Sequence, residues 1–110
     1  MEQTAAKVSA LVKLLSHRDR LMVLYHLAQG EVAAGELGEA LGRKAPAMSQ
    51  QLSILRRKGV IAARRKGQST FYRIADQDAK AISGFLYERF CGDEAQSASS
   101  HNMATEGEAA

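Results

Sequence analysis

The sequence predicts a mainly α-helical fold carrying one β-hairpin, in the order α-α-(short β)-α-α-β-β-α. Three observations carry that expectation. Apolar residues recur at helical spacing in successive stretches separated by Ser, Gly and Asp punctuation. The 110 residues contain three Tyr, three Phe and no Trp, so the core must be built from Leu, Ile, Val, Met and Ala. That suits helices packed on helices. The one stretch that leaves the helical period, Val60 to Ile74, is interrupted by a basic, Gly-containing segment. Before it stand two helices joined by a brief Gly-containing linker, the second with a polar outer face, which is the pattern of a helix-turn-helix. With the hairpin behind it, the unit is a winged helix-turn-helix.

The first helix is expected over about Gln3–Leu15, with Val8, Leu11, Val12 and Leu15 forming one stripe. Ser16 is placed to cap a second helix, about His17–Gln29, with Asp19 in a variant of the capping box. That second helix is apolar on nearly every side and should be the buried centre; Gly30 ends it. Glu31 and Val32 fit a short edge strand. A third helix, Ala34–Leu41, turns Leu37 and Leu41 inward and Glu36 and Glu39 outward. After Gly42, Arg43 and Lys44, the fourth helix covers about 45–58, with Pro46 in its first turn, where a missing N–H costs little. Its stripe is Met48, Leu52 and Leu55, and Gly59 stops it behind Arg56, Arg57 and Lys58. The hairpin then reads as strand Val60–Ala63, a basic loop Arg64–Ser69 and strand Thr70–Ile74, with Phe71 and Ile74 inward. Asp76 should cap a last helix, about Gln77–Cys91. Residues 1–91 thus make one winged helix-turn-helix domain, and 92–110 an acidic, disordered tail.

Charge narrows the function. Between Arg43 and Arg73 there are nine Lys or Arg and no Asp or Glu. The formal charge of +3 hides a tail that holds four acids and no Lys or Arg, which leaves +7 on residues 1–91. The outer face of the fourth helix offers Pro46, Ser49, Gln50, Ser53 and Arg57, small or hydrogen-bonding groups that can lie close to a polar partner. An acid-free helix beside a basic hairpin implies double-stranded DNA. In that reading Gln50 and Gln51 face base edges, while Arg64, Arg65, Lys66 and Gln68 in the wing (about 64–70) meet phosphates. Arg43, Lys44, Arg56 and Arg57 flank the helix as weaker phosphate candidates. The single Cys91, the lack of an apolar run near the length of a membrane span and the lack of a signal peptide imply a cytoplasmic protein with no membrane partner. The surplus apolar surface of the first and last helices, the latter with Ala79, Ile82, Phe85, Leu86 and Phe90, implies a homodimer formed through those two elements.

Five stretches in this order and spacing (Leu14–Leu21, Gly35–Leu41, Ser49–Arg56, Gly59–Ile61 and Thr70–Ile74) resemble the ArsR/SmtB family of dimeric winged-helix repressors, in the branch of NolR, HlyU and BigR. The resemblance covers Val8 to Cys91. It implies a transcriptional repressor on a palindromic operator, with the fourth helix in the major groove and Ser49, Gln50 and Gln51 as its readers. Where that branch often has Ser-Gln-Ser, this chain has Lys44, Ala45 and Pro46, so the Ser cap and one reading Gln are missing. The family's metal sites are not matched either. Residues 33–41 hold no Cys or His, and Asp76 and Asp78 have no His between them and Cys91. No metal and no cofactor are therefore expected. The dithiol persulfide sensors of the branch pair a Cys on the second helix with one ending the last. Cys91 matches the second, but Tyr25 stands at the first. A single-cysteine redox or persulfide response through Cys91 is the alternative reading. A small thiol enzyme built on Cys91 is more remote, because neither a base nor a resolving thiol is supplied. No catalytic residue is assigned.

Overall fold

The structure is a computed structural model that describes residues 1–91, Cys91 by its backbone alone. The expected acidic tail, 92–110, lies outside the described residues. The winged helix-turn-helix is present: α1 (Glu2–Leu15), α2 (Arg18–Leu27), β1 (Val32–Ala33), α3 (Ala34–Leu41), α4 (Ala45–Arg57), β2 (Ile61–Lys66), β3 (Ser69–Ile74) and α5 (Gln77–Leu86). A π-helical turn, Tyr87–Cys91, continues α5, where the sequence pattern predicted an unbroken α-helix. Among the described residues no helix is long and apolar enough to cross a membrane.

Helix α2 is the hub, touching α1, α3, α4, α5 and β3. Its Val23, Leu24 and Leu27 are buried and meet Leu37 and Leu41 of α3, Met48, Leu52 and Leu55 of α4, and Ala79 of α5 in one core cluster. It is not buried all round, since Leu21 and Tyr25 remain 37% and 38% exposed. It also starts differently from the expectation. Ser16 sits at φ −85°, ψ 30°, and its hydroxyl donates back to the Lys13 carbonyl at 2.6 Å, which finishes α1. A cap needs extended backbone, and His17 has it at φ −125°, ψ 129°; its Nδ1 accepts the Asp19 N–H at 3.1 Å. Helix α2 ends at Leu27, two residues earlier than the pattern suggested.

Helices α3 and α4 both close through a left-handed glycine. Gly42 has φ 66°, and the N–H groups of Gly42 and Arg43 donate to the carbonyls of Glu39 and Gly38. Gly59 has φ 77°, with the Gly59 and Val60 N–H groups on Arg56 and Leu55. Each is a Schellman closure, and each turns the chain sharply enough to begin the next element at once.

The sheet has the order β1-β3-β2, so β3 is central and pairs antiparallel with both neighbours. The strands run further than the basic composition suggested. Pairing continues to Lys66↔Ser69 and leaves a two-residue turn of Gly67 and Gln68. Gly67 takes φ 63° and Gln68 has no positive φ, as a type II′ turn requires, and that turn twists in the same sense as the strands it joins. Arg64, Arg65 and Lys66 are therefore strand residues. Phe71 and Ile74 cannot share a face, being three residues apart in a strand of period two. Ile74, Tyr72 and Val32 pack against the core, and Phe71 lies on the opposite face.

Helix α5 begins as expected, Asp76 accepting the N–H groups of Asp78 and Ala79 at 2.8 and 3.0 Å. Ala79 is fully buried, and Ser83 satisfies its buried hydroxyl on the Ala79 carbonyl at 2.6 Å. Lys7 of α1 and Asp78 of α5 approach to 3.7 Å, an exposed side-chain contact between the two helices. Their outer sides hold Val8 (46% exposed), Val12 (52%), Phe85 (64%) and Phe90 of the following turn (65%).

Candidate nucleic-acid interface

The polar side of α4 stands free because its apolar stripe is spent on the core: Met48, Leu52 and Leu55 are all buried. That leaves Lys44, Pro46, Ser49, Gln50, Ser53, Arg56 and Arg57 exposed. Gln51 departs from this group. It is half-buried, and its Oε1 accepts from Arg20 Nη1 at 3.1 Å. Arg20 also donates through Nε to the Leu14 carbonyl at 2.7 Å, so one guanidinium joins the end of α1 to the middle of α4.

A second bridge sets the start of α4. Asp19, 8% exposed, receives Arg43 Nε at 2.9 and 3.1 Å and Arg18 Nη1 at 3.3 Å. The Arg43 hydrogen bond, aided by the charges of Arg43, His17 and Arg18, holds the Asp19 carboxyl below the usual carboxylate range against the opposing effect of burial. Both bridges escaped the sequence reading. The only signal was three adjacent charges, Arg18, Asp19 and Arg20, at the head of a mostly apolar helix, and nothing in the sequence names their partners.

Tyr72 also escaped it. It lines a cleft of about 570 Å³ with Gly35, Gly38, Lys44 and Ser49 among others. It lines a second, of about 380 Å³, with Ser49, Ser53, Arg56 and Arg57. The tyrosine thus fills the angle between the exposed face of α4 and the wing.

In the wing the basic residues separate. Arg64 Nε donates to Glu31 Oε2 at 2.7 Å, and the guanidinium lies 5.0 Å from the Phe71 ring centroid. The hydrogen bond from Arg64 holds the Glu31 carboxyl below its usual range and raises the Arg64 guanidinium above its own. Among the described residues Lys44, Arg56, Arg57, Arg65 and Lys66 make no ion pair, whereas Arg43 and Arg64 do. Gln68 is exposed in the turn. Among the described residues no three His, Cys, Asp or Glu gather into a metal-holding group. The Cys91 side chain, the redox candidate, lies outside the described residues. Tyr25, which the resemblance sets where the dithiol sensors have their first Cys, packs its ring on Tyr87 of the π-helical turn, the centroids 4.5 Å apart.

Comparison with known proteins matches residues 17–63 to the bacterial regulatory proteins of the ArsR family. The chain is 43% identical over 94 residues to the biofilm growth-associated repressor of Agrobacterium fabrum, covering 86% of this chain and 80% of that one. Among solved structures, HlyU from Vibrio cholerae superimposes with a TM-score of 0.80 at 34% identity, covering 83% of this chain and 99% of that one. A homodimeric winged helix-turn-helix DNA-binding domain from Mycobacterium bovis, described as a possible ArsR-family regulator, superimposes with a TM-score of 0.69 at 29% identity. It covers 94% of this chain and 93% of its own.

Proposed function

We propose that this chain, which belongs to the ArsR family of bacterial regulatory proteins and is a transcriptional regulator, acts as a homodimeric repressor on a palindromic operator. The observation that carries the reading is the face of α4. Exposed hydroxyls and an amide (Ser49, Gln50, Ser53) are flanked by cations that make no ion pair among the described residues (Lys44, Arg56, Arg57). A helix with such a face enters the major groove, its amide presenting a donor and an acceptor to a base edge and its cations meeting phosphates. Arg65 and Gln68 extend the contact along the backbone, and Lys66 stands at the wing tip. Tyr72, in the angle between helix and wing, is placed to offer its hydroxyl to a phosphate.

Two copies are joined through α1 and the last helix. Val8, Val12, Phe85 and Phe90 make an apolar surface of the kind a single small domain cannot cover, and a self-complementary patch forms a two-fold interface. The homodimeric relative from Mycobacterium bovis supports that arrangement. Repression follows from occupancy, the bound dimer excluding polymerase from overlapping sequence. No metal or cofactor takes part in this reading.

Footprinting on duplexes selected from the organism's own genome tests it. Two symmetric protected half-sites, with centres about one helical turn apart, are expected. A single asymmetric patch, or a monomer by sedimentation at micromolar concentration, would overturn it.

A further inference from the structure

Arg64 and Arg65 are neighbours in sequence, yet a strand sends consecutive side chains to opposite faces. The register Ala63↔Tyr72 and Arg65↔Thr70 puts Arg65 on the face that holds Tyr72, the face turned toward α4. Arg64, paired with Phe71, lies on the far face. There its guanidinium passes over the Phe71 ring of the central strand and donates to Glu31, the residue that leads into β1. One side chain therefore spans the whole sheet, from β2 across β3 to the edge of β1. Beyond the two residue pairs of β1 with β3, Ile61, Tyr72 and Ile74 anchor the base of the wing on the core, while its outer part, Arg65 to Thr70, is paired only as β2 with β3. A two-stranded ribbon alone is marginal in water.

On this geometry, and resting on the DNA-binding reading above, we propose that Arg64 is a positioning residue of the wing rather than a phosphate contact. The Arg64–Phe71–Glu31 strap fixes the angle at which the ribbon leaves the domain, and so places Arg65 and Gln68 over the DNA backbone. Arg64 is a poor phosphate ligand where it stands. It is turned away from α4, and a phosphate arriving there would meet the Glu31 carboxylate at hydrogen-bond distance from the same guanidinium. The sequence alone placed both arginines on phosphates; the strand register separates them.

A charge swap decides between strap and contact, because E31R/R64E keeps the net charge and the ion pair while removing the cation from position 64. Binding of the full chain to a labelled mixed-sequence duplex is measured by anisotropy across a salt series. R65A is expected to flatten the slope of log affinity against log salt by about 0.9, one phosphate contact. R64A should weaken binding several-fold with the slope unchanged. E31R/R64E should recover to within about threefold of wild type on the same slope. A slope loss in R64A equal to that of R65A, or a double variant that binds no better than R64E, would overturn the proposal. So would an R64A variant that binds like wild type, because the pair would then be an idle surface contact. Hydrogen exchange in the free protein gives a readout independent of DNA. Faster exchange at the wing amides in R64A, restored by the swap, supports the strap; unchanged exchange refutes it. A wild type whose binding ignores salt would refute the DNA-binding reading itself, while the exchange result would still judge the strap.

Discussion

Replacing Gln50 and Gln51 by alanine, one at a time, separates base reading from scaffolding on a single turn of α4. Gln50 is exposed, whereas Gln51 is half-buried with its Oε1 on Arg20 at 3.1 Å. A well-placed amide in the major groove discriminates against the wrong base by about 1–3 kcal/mol. That is a preference of about fivefold to 150-fold. Gln50→Ala should lose that preference at one operator position and leave stability within about 0.5 kcal/mol, as exposed substitutions do. Gln51→Ala instead deletes the acceptor of a charged donor, a bond whose net contribution is about 1.5–3 kcal/mol. Arg20 is only half-buried and keeps the Leu14 carbonyl, so rehydration reduces the loss to about 1–2 kcal/mol. The expected outcome is lower stability and a weaker grip on every sequence alike. Competitive anisotropy against single-base operator variants, paired with urea denaturation, measures both quantities. If Gln51→Ala relaxes base choice as much as Gln50→Ala while the urea midpoint stays put, the division between the two glutamines is wrong.

Three further outcomes follow from the geometry. Leu55→Ala, at a fully buried position where α4 meets the core, should cost about 2–5 kcal/mol by urea denaturation; a loss under about 1 kcal/mol would mean the site collapses freely. Asp19 is held below its ordinary 3.8, so its stabilising contribution is complete above that value and disappears as pH falls through the lower folded-state value. Thermal melts should therefore show Asp19→Asn destabilised at neutral pH, with the gap to wild type closing in strong acid; a gap that stays constant would contradict the Arg43 linkage. Phe85→Glu places a charge in the proposed two-fold interface, and sedimentation should show a monomer whose operator affinity drops steeply, whereas a persisting dimer would move the interface elsewhere.

How much of this was legible in the chain depends on the range of the interaction. Apolar spacing, the glycines at 42, 59 and 67, Pro46 and the Asp76 cap act within a few residues. They determined the order of elements, the buried stripe Met48–Leu52–Leu55 and the helix-turn-helix with its wing. The acid-free run from Arg43 to Arg73 likewise raised the expectation of an anionic partner. What the sequence could not decide were contacts between residues distant in the chain. The wing departed from expectation for a local reason instead: the tight Gly67–Gln68 turn leaves 64–66 in a strand, and the strand period puts Phe71 off the core and the two arginines on opposite faces. Arg20 reaches Gln51 and Arg43 reaches Asp19 only once α2 and α4 are packed. Glu31 meets Arg64 only across a formed sheet. Composition counts a charge, but its job, whether on a phosphate, a carboxylate or a carbonyl, is set by what folding brings within about 3 Å of it.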